Sequence, residues 1–420
     1  MKRSQLFIKT RKEAPADEES RNAQLLIRAG YIHKEMAGVY SYTTLGLAVI
    51  NKISQIIREE MNAIGGNEVQ MSTLQNKDLW QATGRWDDAV VDNWFKSKLA
   101  NGTEVGIGLS HEEPLTNMLK SYVSSYKDLP LYAYQIQTKF RNELRAKSGL
   151  LRGREFLMKD LYSFSRSQAE HDEFYEKCAA AYLKIYDRLG FGGLVYRTFA
   201  SGGIFSKFSD EFQILSHVGE DTIFVHEGKK IAVNREVYND EVLDHLGLKK
   251  EDLREEKAVE AGNIFSLGSK YSDALGLHFT DEHGQQQSII MGCYGIGVSR
   301  LMGLLAEHFA DDKGLSWPAA VAPYQVYLCR VGEEDQVVNA ANEVYDKLTK
   351  SDVSVLYDDR GERPGDQFGD ADLLGMPYRL IVSEKSLAAG GYELKPRTSN
   401  DTQIADFDAV SEALGKSLQA

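Results

Sequence analysis

The chain holds only three cysteines in 420 residues, Cys178, Cys293 and Cys329, and their wide spacing supports neither a disulfide framework nor a cysteine-based zinc site. It also lacks an uninterrupted apolar run of about 18 residues, the length a membrane-crossing helix needs. The opening MKRSQLFIKTRKEAPADEES has no apolar core of the kind a secretory signal carries. A cytoplasmic location with no membrane partner is therefore expected. Positive charge is in short supply as well. Lys and Arg number 49 against 62 Asp and Glu, a net charge of −13, so a grip on nucleic acid must come from a local basic patch. Nothing points to DNA. With 42% hydrophobic and 26% charged residues, the chain is long enough for two or three cored globular domains.

The most informative stretch runs from Thr138 to Asp160, TKFRNELRAKSGLLRGREFLMKD. Before and into it, Tyr132, Tyr134, Ile136, Thr138 and Phe140 alternate with Gln135, Gln137, Lys139, Arg141 and Glu143, the pattern of a strand with two unlike faces. The second face reads as too polar for a core, and Arg141 and Glu143 are expected on one side of the strand. Across the loop from Leu144 to Leu151, the positions Arg154, Phe156, Met158 and Asp160 share a face, which predicts the return arm of an antiparallel hairpin. A solvated hairpin would show the same alternation. Its side chains nevertheless suit ATP: an Arg fork can grip the α-phosphate, a carboxylate can accept from the adenine amino group, and an aromatic ring can stack on the base.

A second motif lies far downstream in SIIMGCYGIGVSRLMGLLAEHF, where an apolar strand meets Gly292, Gly295 and Gly297 and then a helix whose first turn contains Arg300. Glycine lets backbone lie close to a ligand, and a helix start adds partial positive charge beside the guanidinium. The run is neither a Walker A loop nor a dinucleotide fingerprint, since both the Gly-Lys-Ser/Thr ending and the dinucleotide spacing are missing.

Taken together, Phe140 to Glu143 and Gly295 to Arg300 resemble motifs 2 and 3 of class II aminoacyl-tRNA synthetases. YQIQTKFRNE, LRGREFLMKD, MGCYGIGVSR and DDRGERPGDQFGDADLLGMPYR resemble the corresponding blocks of the bacterial-type prolyl-tRNA synthetase family, and the likeness runs from near residue 20 to the C-terminus. The resemblance implies an α+β fold: a class II antiparallel sheet flanked by helices over residues 1–320, then a C-terminal α/β anticodon-binding domain over 321–420. It implies ligation of L-proline to tRNA(Pro) with ATP and Mg2+, in a homodimer. Arg141 and Arg300 would be catalytic. Glu143, Arg152, Phe156, Gly295 and Gly297 would join them around ATP. Ser110, Glu112, Arg141, Asp160, Asn263, Gly292 and Cys293 would surround proline, and Arg145, Lys147, Arg360, Glu362, Arg363, Phe368 and Asp370 would touch tRNA. The cluster Lys139, Arg141, Arg145, Lys147, Arg152, Arg154 is the expected acceptor-end patch. Metal ligands are left open, with Glu211 unassigned.

Several positions depart from the family's pattern. Ser110 preceded by Leu109 stands for threonine preceded by proline, Asn263 and Asp210 for histidines, Gln367 for lysine and Ser72 for proline. Leu47, Ile50, Ile53, Ile57, Met61 and Ile64 predict an amphipathic helix ended by Gly65-Gly66, which resembles motif 1 of the dimer interface. Between 221 and 260, where full-length bacterial relatives insert an editing domain, about forty mostly polar residues are too few for one. Two other readings fit parts of the pattern: a paralogue that binds tRNA or regulates without charging it, and a synthetase for threonine or histidine. The absence of a His/Cys metal constellation disfavours threonine.

Overall fold

The computed structural model describes residues 1–146, 148–203 and 205–416. The chain divides into two compact units, one of Ser54–Ala146 with Leu151–Leu301, the other of Met1–Ile53, Lys147–Leu150 and Met302–Ala420. Helix α1 (Thr44–Ala63) is followed by strand β1 (Asn67–Glu68), helix α2 (Glu112–Leu119), strands β2 (Leu131–Phe140) and β3 (Glu155–Ser165), and helix α3 (Gln168–Arg188). Next come β4 (Val195–Ser201), β5 (Phe208–Leu215), β6 (Asp221–His226), β7 (Ile231–Asn234), β8 (Arg254–Gly268), helix α4 (Lys270–Leu275), β9 (Ile290–Gly297) and helix α5 (Val298–His308).

These strands build a nine-stranded, mostly antiparallel sheet in the order β5-β4-β7-β6-β8-β9-β3-β2-β1. The expected hairpin is present: β2 and β3 pair from Leu131↔Phe164 to Phe140↔Glu155. Its apolar face lies under α3, where Tyr132 stacks on Phe174 at 3.6 Å between ring centroids and Phe174 meets Tyr294 edge-on at 5.5 Å. The opposite face is a different matter from the expectation. Gln135, Gln137 and Lys139 are buried, not wet, because they bond to one another's neighbours: Gln135 Oε1 accepts from the Met71 amide at 3.0 Å, and Gln137 Nε2 donates to the Met71 carbonyl at 2.5 Å. A polar face can be interior when each group is satisfied.

The 221–260 segment also exceeds its expected role as filler. Its short β-branched runs form β6 and β7, which enter the main sheet; β8 pairs β6 through its first five residues and β5 further on. Val233, Val237, Val242, Leu243 and Leu248 give it a small apolar cluster. The expected stripe is buried at Ile50, Ile53, Ile57 and Met61 of α1 and at Ile64 just past its end, whereas Leu47 is half exposed.

The second unit contains β10 (Val326–Val331), α6 (Asp335–Lys350), β11 (Val355–Asp358), α7 (Pro364–Leu374), β12 (Tyr378–Ser383), β13 (Tyr392–Pro396), β14 (Gln403–Ala405) and α8 (Phe407–Lys416). Its sheet runs β11-β10-β12-β13-β14, parallel over the first three strands and antiparallel beyond. Residues Val326, Leu328, Val355, Leu380 and Val382 join Val337, Val344 and Val410 in its core. The stretch after Arg363 is a helix, since Pro364 fits a helix start and Gly375 closes it at φ +77. Ile404 belongs to β14, and the last helix starts at Phe407.

Candidate active site

The sheet face opposite α3 carries most of the candidate groups. The strand β2 ends at Phe140, so Arg141 and Glu143 lie just beyond it and not within it. The Arg141 amide still donates to the Arg154 carbonyl at 2.8 Å, extending the pairing by one step, and the Glu143 amide turns back to the Arg141 carbonyl at 2.8 Å. The Arg141 guanidinium sits 5.3 Å from the centre of the Phe156 ring. Burial, and then the charge of Arg300, holds its pKa below the ordinary arginine value. The two guanidiniums therefore share one electrostatic field although they come from opposite ends of the domain. Between them, positions 263, 295 and 160 are neighbours in the sheet register.

Arg300 stands in the first turn of α5, its Nη1 donating to the Glu260 carbonyl at 2.5 Å and Nε to the Leu151 carbonyl at 2.9 Å. Gly297 makes room for it: a β-carbon there would lie 3.1 Å from Arg300 Cβ. Asn263 Nδ2 donates to Glu260 Oε1 at 2.6 Å, and a β-carbon at Gly295 would approach Asn263 Oδ1 to 3.1 Å. Gly292 faces the other way, toward Ser163 and His171, where a β-carbon would come within 2.8 Å of each. Asp210 likewise faces the helix-covered side, bonded by Tyr175 and Arg197. Its neighbour Glu211 faces the site. Burial and the nearby Glu260 push Glu211 up to about 8, while Gln213 and Asn234 donate to it.

At the other end, Ser110 Oγ donates to Glu112 Oε2 at 2.5 Å, and the Cys293 thiol to Oε1 at 3.2 Å. Burial pushes Glu112 up, but Arg85 and the Ser110 hydroxyl outweigh it and hold the carboxylate below its usual value. Cys293 moves the opposite way, its thiol pushed well up by burial and by Glu112. It is a protonated donor and no nucleophile.

Asp160, expected against the amino acid, has its oxygens committed inside the protein. Lys139 Nζ stands 2.8 Å from Oδ1, and Gln135 Nε2 and Tyr162 OH donate to Oδ2, each at 2.9 Å. The same network includes His111, whose Nε2 donates to the Ser72 carbonyl at 3.0 Å, leaving Nδ1 to accept from Lys139 at 3.1 Å. Burial and the adjacent ammonium hold His111 down at about 4, so the ring is neutral.

The expected basic patch is also revised. Lys139 is fully buried, and Arg152 is ion-paired with Glu143 at 2.9 Å and Glu220 at 3.1 Å. Arg154 Nε donates to the Glu143 carbonyl. Arg145 is exposed, and Lys147 lies outside the described residues. In the second unit, Arg360 pairs with Asp358 and Asp370, both at 2.7 Å, and Asp370 also binds Arg3 and Thr10. Their charges serve the fold. Glu362 and Arg363 are exposed, and the Arg379 guanidinium covers the Phe368 ring at 4.6 Å. Sequence reasoning missed Arg85 and Glu113, which complete the Glu112 end; the only signal was a second carboxylate in His111-Glu112-Glu113.

A nine-stranded, mostly antiparallel sheet with a hairpin arginine and a helix-start arginine defines the class II synthetase core. Residues 94–309 match the family model "tRNA synthetase class II core domain (G, H, P, S and T)", and 325–417 match "Anticodon binding domain". The chain is 36% identical over 439 residues to a proline–tRNA ligase of Phenylobacterium zucineum, covering 99% of this chain and all of that protein. It is 30% identical over 579 residues to one of Burkholderia lata, covering 100% and 99%. The fold matches the crystal structure of a Cryptosporidium parvum prolyl-tRNA synthetase complexed with L-proline and AMP, with a TM-score of 0.76, 17% identity, and coverage of 95% of this chain and 74% of that one. The chain belongs to the proline–tRNA ligase family of class II aminoacyl-tRNA ligases. Among the described residues no helix is long and apolar enough to cross a membrane.

Proposed function

We propose that the chain joins L-proline to tRNA(Pro) at the expense of ATP, through a prolyl-adenylate. The observation that carries this reading is the Arg141 guanidinium set against the Phe156 ring, its pKa held down in part by the charge of Arg300. Phe156 and Glu143 take the adenine, Arg141 the α-phosphate and Arg300 the terminal phosphate. The proline carboxylate oxygen attacks the α-phosphorus in line and pyrophosphate leaves, while Arg141 stabilises the charge that grows on the phosphoryl oxygens. The 2′- or 3′-hydroxyl of the terminal tRNA adenosine then attacks the adenylate carbonyl and AMP departs. Positioning and electrostatics do this work, and no protein nucleophile takes part.

The imino nitrogen of proline is taken by the Glu112 carboxylate, which Ser110, Cys293 and Arg85 hold in place. Glu211 and Glu260 are the residues that would hold magnesium. It needs only one or two protein carboxylates together with phosphate oxygens, and Glu211 and Glu260 offer such oxygens, with mutual repulsion that a cation would relieve. No set of three or more His, Cys, Asp or Glu suited to a metal occurs among the described residues. When bound, Mg2+ would supply charge neutralisation on the triphosphate.

The reading includes a homodimer built on α1 and the two-residue edge strand β1, and a cytoplasmic enzyme without a cis-editing site. In support of the last point, residues 221–260 form β6, β7, the start of β8 and one small apolar cluster. The Burkholderia relative aligns over 579 positions and the Phenylobacterium one over 439, close to this chain's 420. The test of the ligase reading is ATP–pyrophosphate exchange with a panel of amino acids. Proline should support exchange, and Arg141→Ala should abolish it; near-normal exchange by that variant would refute the assignment.

A further inference from the structure

The amino-acid end of the site contains an unbalanced buried charge. Arg85, Glu112 and Glu113 are 3%, 0% and 0% exposed. One nitrogen, Arg85 Nη1, donates to Glu112 Oε2 at 3.1 Å and to Glu113 Oε1 and Oε2 at 3.0 and 3.1 Å. The guanidinium is enclosed by the rings of Trp80, Phe205 and Tyr271, at 4.6, 5.1 and 5.5 Å from their centres. One cation held between two carboxylates in a low-dielectric interior leaves a negative charge to be neutralised, either by a proton or by a cation that arrives.

We propose that Arg85 and Glu113 are positioning residues that couple substrate binding to a proton: Glu113 is protonated in the empty site, and the positively charged imino nitrogen of proline, docking on Glu112, expels that proton to solvent. The proposal rests on the proline reading above and adds a linkage to it. The balance well below pH 7 is one proton released per proline bound, and about half that at pH 7, with the substrate nitrogen keeping its own. Arg85 fixes the Glu112 carboxylate in place and transmits the charge to Glu113. Burial, together with the neighbouring Glu112, pushes Glu113 up to about 7 in spite of Arg85. Thr83 donates to its Oε1 at 2.7 Å. The other titratable groups that face it are Arg85, Glu112 on its own helix α2, and Tyr271 from α4, which burial keeps protonated; Cys293 of β9 reaches it only through Glu112.

The test is the pH dependence of the proline KM in pyrophosphate exchange between pH 6 and 8.5. Wild type should show a level KM above about pH 7 and a rise approaching about tenfold per pH unit below it. Glu113→Gln should give a flat proline KM across the range; a merely structural role would shift KM by the same factor at every pH and leave the slope. Proline binding to the wild-type protein, measured by calorimetry at pH 7 in two buffers of different ionisation enthalpy, should show proton release. A flat wild-type profile, a slope retained in Glu113→Gln, or buffer-independent binding heat would overturn the proposal. If no proline-dependent exchange occurs at any pH, the ligase reading itself falls, and the linkage with it.

Discussion

Lowering the pH from 7.5 to 5 should destabilise this protein through His111, by an amount the structure allows to be worked out. The ring is fully buried, donates to the Ser72 carbonyl and accepts from the Lys139 ammonium, so a second proton would place two cations 3.1 Å apart. The folded pKa is about 4, against roughly 6.5 in the unfolded chain. Between those values the unfolded state binds a proton that the folded state refuses, so stability falls as pH drops through 6.5 toward 4. The loss is about 2 kcal/mol at pH 5 and about 3 kcal/mol when complete. Asp160 acts with the same sign at lower pH. Lys139 and its other partners hold its carboxylate below the usual value against burial, so its contribution is present above the unfolded value of about 3.9 and is lost below it. Urea unfolding at pH 7.5 and 5, compared between wild type and His111→Gln, isolates the histidine, because the raised carboxyls of Glu113 and Glu211 contribute to both chains. Gln retains a donor for Ser72 and does not titrate. Wild type should lose about 2 kcal/mol more than the variant. Equal losses in the two chains would refute the reasoning.

Three other outcomes are expected. Gly297→Ala should raise the ATP KM in pyrophosphate exchange by about ten- to a hundredfold, since the new methyl crowds Arg300 and displaces its guanidinium; an unchanged KM would show that the position tolerates it. Alanyl-tRNA(Pro) incubated with the purified protein should hydrolyse no faster than in buffer, while alanine should be activated at a low level because missing methylenes cost only about 1–3 kcal/mol each. Rapid enzyme-dependent deacylation would contradict the absence of cis-editing. Asp370→Ala should destabilise the second unit by about 3 kcal/mol in urea, by stripping the anion from the buried Arg3 and one of two from Arg360. A change below about 0.5 kcal/mol would show the network to be ornamental.

The sequence by itself determined what depends on neighbours along the chain. The two-residue alternation from Tyr132 to Phe140 forced a strand, the loop and return arm followed, and Gly297 with Arg300 marked a strand running into a helix. The resemblance of four ordered blocks then identified the family. Only the tertiary structure decided which charges are free to meet a substrate. Lys139, Asp160, Arg152, Arg360 and Asp370 have the composition of binding residues, yet each is engaged by another protein group. Arg85 and Glu113 carried little local pattern and form a fully buried charged cluster with Glu112. Periodicity is set by backbone geometry over a few residues, whereas a salt bridge is set by which distant segments fold together, and no spacing rule encodes that.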